Sequence, residues 1–432
     1  MNNTSIKKKK ILVIGLGYVG ITLLCALLLK LKKNFYEIYG YDKSNKVVND
    51  LKKNKAITYE KNLTYILRTK KNYKFYNKIP EKTLFDIIII CVGTYINKNK
   101  KLNKKNLFQA SKECLKIANK DSLIIVRSTV KVGTTNDLIN KIFKNKFHIA
   151  YCPERTVEGN AINEIVHLPQ LIGTKDNYSK KIANNFFKYL TKKTINFNSY
   201  EEPELIKLLD NTYRDTIFSF SNKVALICEK LKINSKSIIK KANYNFERND
   251  IKYPGPVGGP CLSKDPYILS ESVEPYLASA ITTSRKINNI YIKTFIKKIF
   301  KDNKNKNKLN ISIIGIGFKG IPDTNDIRDS TAIKIIKELI YSFPKVKIYI
   351  YDKFITNIKI KELGCIPIRN IYNCFKNKDA CIIHGNNKYI KNININYYIR
   401  LLKPNAYVYD IWNNFGEKLI DSNVKKYKGV GI

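Results

Sequence analysis

A short glycine pattern occurs twice in this chain, 300 residues apart, and each copy follows a run with the character of a buried strand. Ile11-Leu12-Val13-Ile14 leads into Gly15-Leu16-Gly17-Tyr18-Val19-Gly20, and residues 310–314 lead into Gly315-Ile316-Gly317-Phe318-Lys319-Gly320. A strand that ends in this spacing and turns into a helix is the opening of a βαβ unit in a parallel sheet. In the first copy the pattern predicts a helix over Ile21 to Leu31 and a second strand over Glu37 to Tyr41, ending at Asp42. The first two glycines permit a tight turn and close backbone approach to a pyrophosphate at the helix N-terminus; the third lets helix and strand pack. Asp42 stands 22 residues beyond Gly20, where a carboxylate accepts from the ribose hydroxyls of NAD and repels the extra phosphate of NADP. Lys43 works against that preference. Gly15, Gly17, Tyr18, Val19, Gly20 and Asp42 are therefore candidate cofactor-binding residues.

Further strands are expected over Asp86 to Val92, Leu123 to Val126 and Phe147 to Tyr151. Each ends in small or polar residues: Gly93-Thr94, Ser128-Thr129 and Cys152-Pro153-Glu154-Arg155. Ligands of open α/β sheets gather at the carboxyl ends of the strands, so Thr94, Thr129 and Glu154 are placed to line one cleft. Read singly, Ser128 or Thr129 would be a helix cap or turn residue. From Glu201 the texture changes, and a helix without glycine is expected from Glu202-Pro203-Glu204 through Glu229. Along it Lys207, Asn211, Asp215, Phe218 and Asn222 recur at spacings that share one face, with Leu205, Leu208, Leu209 and Thr212 beside it. Such a polar face is either a solvated stripe or, given the apolar surroundings, a buried one on which Lys207 and Asn211 act as oxyanion donors.

Tyr253 to Pro266 contains three glycines and four prolines in fourteen residues, so it is a loop fixed by its sequence. It carries Cys261, followed by Lys264 and Asp265. A thiol attacks as its thiolate, which a neighbouring cation favours; the alternative is a small buried core residue. After a helix from about Pro275, Lys301 to Lys308 has linker composition. The second glycine pattern is then expected to open a helix through Ser342 and a strand over Val346 to Tyr351 ending at Asp352. This could be a second dinucleotide site, although Lys319 and Arg328 favour a more densely charged phosphate ligand.

The formal charge is +44, yet only nine of the basic residues are arginine, and lysine accompanies Ile, Asn and Tyr along the whole chain. That spread reads as a bias in residue usage, and with no basic-aromatic module in view no specific nucleic-acid partner is expected. The nine cysteines show no paired metal spacing and no disulfide framework, so no metal is expected and a reducing, cytoplasmic compartment is. Lys7 to Lys10 followed by Ile11 to Leu29 imitates a signal anchor, but the three glycines at its start fit a strand, turn and helix, and no membrane span is expected.

These motifs together resemble the nucleotide-sugar 6-dehydrogenases, the family of the UDP-glucose and GDP-mannose dehydrogenases. The likeness runs nearly end to end through Gly15 to Gly20, Arg127-Ser128-Thr129-Val130, Pro153-Glu154-Arg155, Glu204 to Phe218, Gly258 to Asp265, and Gly317 to Arg328. The wording at Pro153 to Gly159 and Pro256 to Cys261 is most similar to the N-acetylated branch, the UDP-N-acetylmannosamine and UDP-N-acetylglucosamine dehydrogenases. The resemblance implies an α/β fold with two Rossmann-like doubly wound domains joined by a central long-helix domain. It implies an NAD domain over 1–198, a helical domain with the cysteine loop and a dimer interface over 199–300, a linker over 301–308, and a UDP-sugar domain over 309–432. Tyr95 and Lys131 depart from the family, which usually has proline at both places.

The implied chemistry is oxidation of a C6 alcohol twice, each step passing a hydride to NAD, and its product supplies surface polysaccharide. Cys261 captures the aldehyde as a thiohemiacetal, whose oxidation gives a thioester that is then hydrolysed. Lys207 and Asn211 stabilise oxyanions, Asp265 and Thr129 order a water, and Glu154 serves as general acid/base. Thr94, Thr129, Lys264 and Arg328 join the cofactor set. Glu154, Arg155, Glu158, Lys207, Asn211, Arg248, Gly258 and Lys319 form the substrate set, Arg248 reaching the sugar or the neighbouring subunit. The partners implied are a UDP-sugar and a second copy of the chain. Three alternatives stay open: a UDP-glucose 6-dehydrogenase, a two-electron sugar or hydroxy-acid dehydrogenase, and a nucleotide-binding regulatory protein.

Overall fold

Alternation of side chains along a strand sends successive residues to opposite faces, and the first strand shows what that does here. In β1 (Lys9–Ile14), Ile11 and Val13 join one apolar core with Leu23, Leu24 and Leu27 of the helix Tyr18–Lys30. Leu12 and Ile14 join a different core with Leu107, Leu138 and Ile142. A strand buried on both faces has no polar side to show, which is why it reads as a continuous apolar run. The computed structural model describes residues 8–55, 58–70, 72–306, 308–420 and 425–432; Lys7 of the basic run and Asn307 of the expected linker lie outside the described residues.

The remaining strands of this sheet are β2 (Tyr36–Tyr41), β3 (Tyr73–Tyr76), β4 (Phe85–Ile90), β7 (Ala118–Val126), β8 (His148–Tyr151), β9 (Gln170–Gly173) and β10 (Thr194–Phe197). A two-stranded hairpin, β5 (Tyr95–Ile96) with β6 (Leu102–Asn103), stands apart. The order is β10-β9-β8-β7-β4-β1-β2-β3, parallel throughout except where β8 meets β9. Ile14 is in register with Tyr41 and with Ile90, so the glycine loop, Asp42 and the residues after Ile90 leave the same edge of the sheet.

A second sheet is built from β11 (Asn310–Ile314), β12 (Lys347–Tyr351), β13 (Ile366–Pro367), β14 (Ala380–Ile383), β15 (Tyr407–Asp410) and β16 (Tyr427–Lys428). Its order is β13-β12-β11-β14-β15-β16, all parallel. By contact the chain divides into two compact units, residues 1–210 with 267–274 and residues 211–266 with 275–432. The helix Glu201–Leu231 contributes residues to both.

Two expectations need correction. The helix from Pro275 continues to Asn303, into the stretch with linker composition. Its last turn is packed: Asn303 is buried and donates to the Tyr409 hydroxyl at 3.2 Å, while Asp302 accepts from that hydroxyl at 2.9 Å and pairs with Lys428 at 2.8 Å. Tertiary burial thus extends a helix that composition would have ended. After the second glycine pattern the helix begins only at Thr331 (Thr331–Ser342), capped by Ser330, whereas the helix of the first pattern begins at Tyr18, directly after Gly17. Residues 315–330 are irregular, with bends through Pro322 and a turn only at Arg328-Asp329. Without a helix N-terminus on the glycine loop, the second copy lacks the anion-binding geometry of a dinucleotide site.

Candidate active site

In the first unit the glycine loop is shaped by contacts that exclude side chains. Gly15 has φ +90°, and a Cβ there would lie 2.9 Å from the Cys91 carbonyl oxygen; one on Gly20 would lie 1.8 Å from the Gly15 oxygen. At Gly17, which caps the helix, nothing lies within 4 Å of a would-be Cβ. The backbone amides at this helix N-terminus therefore face open space, a cradle that fits a pyrophosphate. Asp42 accepts from Leu16 N and from Ser44 N, both at 2.8 Å. Each of its oxygens keeps a lone pair for a ribose hydroxyl. Lys43 turns aside to Asn106 at 3.1 Å. Val19 packs against the core.

Tyr18 does not point its hydroxyl at the loop's open side. It donates to Glu60 at 2.6 Å, and Gly159 N donates to both the Tyr18 oxygen, at 2.9 Å, and Glu60 Oε2, at 3.0 Å. Ile162 N donates to Glu60 Oε1 at 3.2 Å. Glu60 so fastens the glycine loop to the loop after β8 that holds Arg155 and the buried Glu158. Sequence reasoning missed it, since nothing local marks an acid whose partners lie 42 to 102 residues away.

Neither Ser128 nor Thr129 is a helix cap. Ser128 Oγ donates to Val92 O at 2.7 Å, and Thr94 Oγ donates to the Thr129 carbonyl at 2.7 Å, so the ends of β4 and β7 are stitched together. Lys131 pairs with Glu271 at 3.6 Å. Glu154 is buried and all four of its acceptor positions are taken: Oε1 accepts from Arg155 N and Thr156 N, each at 2.9 Å, and Oε2 from both Arg127 Nε, at 3.1 Å, and Arg127 Nη2. Burial favours the neutral acid, but the Arg127 guanidinium and the two amides outweigh it and hold the carboxyl below its ordinary range. Arg127 in turn donates to Cys152 O and Gln170. Arg155 pairs with Asp210 at 2.9 Å.

The helix Glu201–Leu231 turns its polar face inward: Lys207, Asn211, Asp215 and Asn222 are all buried, and the solvated-stripe alternative falls. Among the described residues no carboxylate lies within ion-pair distance of Lys207, an uncommon state for a buried ammonium and one that suits an anion-stabilising role. Leu205 and Leu209, by contrast, are exposed.

In the second unit the cysteine loop is held at three places. Asp265, fully buried, accepts from Asn211 Nδ2 at 2.6 Å and from Lys264 Nζ at 2.5 Å. Lys264, expected as the cation beside the thiol, is thus paired with Asp265. Gly259 N donates to Asp329 O at 2.9 Å, with the Phe318 ring against Gly259 and Thr331 against Gly258. Gly255 is gripped by Asn222 and lies so close to Trp412 that a Cβ would come within 2.2 Å of the indole. Cys261 sits exposed between these points, while the other eight cysteines are buried.

Lys319 lies over the Phe318 ring at 5.5 Å, and Arg328 forms a forked pair with Asp326 at 2.8 and 2.5 Å, on the same 315–331 segment that grips Gly259. The expected phosphate cations and the cysteine loop are therefore brought together. Behind them His384 faces Gly315 O through Nδ1 (3.1 Å) and Thr331 Oγ through Nε2 (2.7 Å); burial pushes its pKa down to about 4, so it stays neutral with the proton on Nδ1. Arg248 stands exposed over the Phe246 ring at 4.7 Å, away from these groups' hydrogen bonds. Among the described residues no cluster of three or more His, Cys, Asp or Glu could hold a metal ion, and no helix is long and apolar enough to cross a membrane.

A dinucleotide-binding loop on one Rossmann sheet, and an exposed thiol beside cations on a segment of another, define a dinucleotide-dependent oxidoreductase. Residues 9–191, 201–290 and 312–417 match, in turn, the NAD binding, central and UDP binding domains of the UDP-glucose/GDP-mannose dehydrogenase family. The chain belongs to that family, and it is an NAD-dependent nucleotide-sugar dehydrogenase. It is 31% identical over 395 residues to a UDP-N-acetyl-D-mannosamine dehydrogenase of Methanocaldococcus jannaschii, covering 89% of this chain and 87% of the relative. It is 30% identical over 348 residues to one from Campylobacter jejuni, covering 76% and 83%. The solved structure of a UDP-D-ManNAc dehydrogenase from Pyrococcus horikoshii superposes with a TM-score of 0.84 at 23% identity, covering 98% of this chain and 99% of that one. A UDP-glucose dehydrogenase from Pyrobaculum islandicum gives 0.80 at 18% identity, covering 100% and 99%. These two likenesses speak to the fold.

Proposed function

We propose that this chain oxidises the C6 alcohol of a UDP-N-acetylhexosamine to the uronic acid in two steps through a thioester on Cys261, with UDP-N-acetylmannosamine the preferred substrate. The observation that carries the proposal is the exposed Cys261 on a loop tied at Asp265 to Asn211, one helical turn from the buried Lys207, and at Gly259 to the segment bearing Lys319 and Arg328. The names borne by the curated relatives support the choice of sugar.

The Gly15–Gly20 loop and Asp42 would hold NAD, which would supply the hydride acceptor for both oxidations. Within the chain, the Cys261 thiolate adds to the C6 aldehyde carbon; the S–C bond forms and the carbonyl oxygen, taking a proton, becomes the hydroxyl of a thiohemiacetal. Loss of the C6 hydride and the hydroxyl proton leaves a thioester. Water then cleaves the C–S bond, giving the carboxylate and restoring the thiol. Lys207 and Asn211 stabilise the oxygen wherever it becomes negative. Asp265, by accepting one Asn211 Nδ2–H, fixes which way that amide faces. A base role for Glu154 requires it to release one of its four internal donors, so we assign it first to holding the 154–158 loop that presents Arg155 and Glu158.

The assignment extends to the assembly and setting. Leu205, Leu209, Tyr213, Phe220, Ile227 and Leu231 form an exposed apolar row on the long helix, the complement expected of a homodimer. The enzyme works in the cytoplasm, where thiols stay reduced, on a precursor of surface polysaccharide, and residues 1–198, 199–300 and 309–432 are its functional domains.

The test is stoichiometric. UDP-N-acetylmannosamine, UDP-N-acetylglucosamine and UDP-glucose are each supplied with NAD, and NADH and product are counted. Two NADH and one uronic acid per sugar are expected, with no aldehyde accumulating. One NADH per sugar, with aldehyde trapped by hydroxylamine as the main product, would overturn the four-electron mechanism.

A further inference from the structure

We propose that Asn222 is a positioning residue for Cys261, holding one arm of the cysteine loop through a buried polar chain that ends on Asp215 and Arg285. The inference rests on Cys261 being the nucleophile. Asn222 is fully buried, and its amide meets both polar groups of one backbone residue: Oδ1 accepts from Gly255 N at 2.9 Å and Nδ2 donates to Gly255 O at 3.0 Å. That is the pairing a neighbouring strand would give, supplied to a loop by one side chain. The other Nδ2 hydrogen goes to Asn288 Oδ1 at 2.8 Å. Asn288 Nδ2 donates to Asp215 O at 3.1 Å and Oδ1 at 2.8 Å, and Arg285 Nη1 closes the chain on the same Oδ1.

Stability alone does not account for this chain. Apolar residues of similar volume commonly replace a buried ion pair at no loss. What the pair supplies is orientation. With Arg285 and Asn288 fixed on the helix Pro275–Asn303, and Asp215 one turn from Asn211, the Asn222 amide can face Gly255 in one sense only. Asn211 and Asn222 are eleven residues apart on the helix Glu201–Leu231, three turns along one face. The first holds Asp265 and the second holds Gly255, so both arms of the loop hang from one helix face with Cys261 between them. Trp412 blocks Gly255 from moving inward, and Asn222 keeps it from moving away.

The test uses the full chain carrying Asn222→Ala, with Asn288→Ala as the milder variant. Steady-state kinetics give kcat and both KM values. Iodoacetamide alkylation across pH reports on Cys261, because the other eight cysteines are buried. In Asn222→Ala, kcat should fall tenfold or more, since displacement of a reacting group by about 1 Å can cost 10²-fold. KM for NAD should stay within about twofold, the Gly15–Gly20 loop owing nothing to Asn222, and the rate at which Cys261 is alkylated should depart from wild type at every pH, the loop that presents it being no longer held at Gly255. Asn288→Ala should give the same changes in weaker form. Wild-type kcat together with a wild-type alkylation profile in Asn222→Ala overturns the proposal; if that variant does not fold, the same result in Asn288→Ala does so. Cys261→Ser separates the two readings. Full acid production by it would end the thioester mechanism, and the alkylation profiles of the Asn222 and Asn288 variants would still decide whether the tether positions the loop.

Discussion

Replacing Glu204 with glutamine should change how the stability of this protein depends on pH, and the structure gives both the sign and the size. Glu204 lies fully buried in the first turn of the long helix. Its Oε1 accepts from Thr135 N at 2.9 Å and Thr135 Oγ at 2.6 Å, and its Oε2 from Gly133 N at 2.6 Å. Three donors favour the carboxylate and burial favours the acid; burial wins, pushing the group from 4.5 up to about 7. The folded state therefore holds the proton more tightly than the unfolded one. The stabilising contribution is fully present below pH 4.5 and is lost as pH rises through about 7. At about 1.4 kcal/mol per pH unit, the loss comes to about 3 kcal/mol. Glutamine cannot titrate, so the stability difference between wild type and Glu204→Gln should fall by that amount between pH 4.5 and 8. Urea unfolding followed by far-UV circular dichroism, run on both proteins in the same buffers, measures it, since titrations common to both cancel. A difference that is flat with pH would show the three donors balancing burial, and one that grows would show them outweighing it; either would refute the reasoning.

Two further outcomes follow from features of the same geometry. Gly17→Val fills the open space over the helix N-terminus and should weaken NAD binding by at least tenfold while leaving the fold intact, checked by NADH fluorescence titration and circular dichroism. Paired glutamates at Tyr213 and Phe220, both exposed on the long helix, should convert the proposed dimer to monomer in sedimentation; a wild-type protein that sediments as a monomer, or a variant that still sediments as a dimer, would overturn the proposed interface.

Much of the fold was legible because strands buried on both faces advertise themselves. Ile87 to Ile90 admits no other place than a central strand, and the alternate residues do enter two separate cores. The first glycine pattern was legible because its strand, its helix and Asp42 follow one another in sequence, Asp42 only 22 residues beyond Gly20. The second was not. Its glycines repeat the spacing, but Pro322 and the polar residues after it leave the chain irregular until Thr331, a signal present in the sequence and outweighed by the repeat. Cys261, Lys207 and Asn211 could be found as residue types at fixed spacing on a helix or loop. Glu60, Glu204 and Arg127 could not, because each owes its place to backbone groups or carboxyls on other elements. The burial of Lys207 and the pairing of Lys264 with Asp265 likewise depend on packing that no local pattern encodes.

The contact between Gly255 and Trp412 makes the chain its own optical gauge. Trp412 is the one tryptophan in 432 residues, its ring lies on the cysteine loop, and its indole N–H donates to His384 O at 2.8 Å. Tryptophan emission shifts to the red as the ring meets water, so the emission maximum follows how closely Gly255 covers the indole. Loosening of the loop by a variant, or its tightening by a nucleotide sugar, is thus visible in the unlabelled protein, in real time and at micromolar concentration.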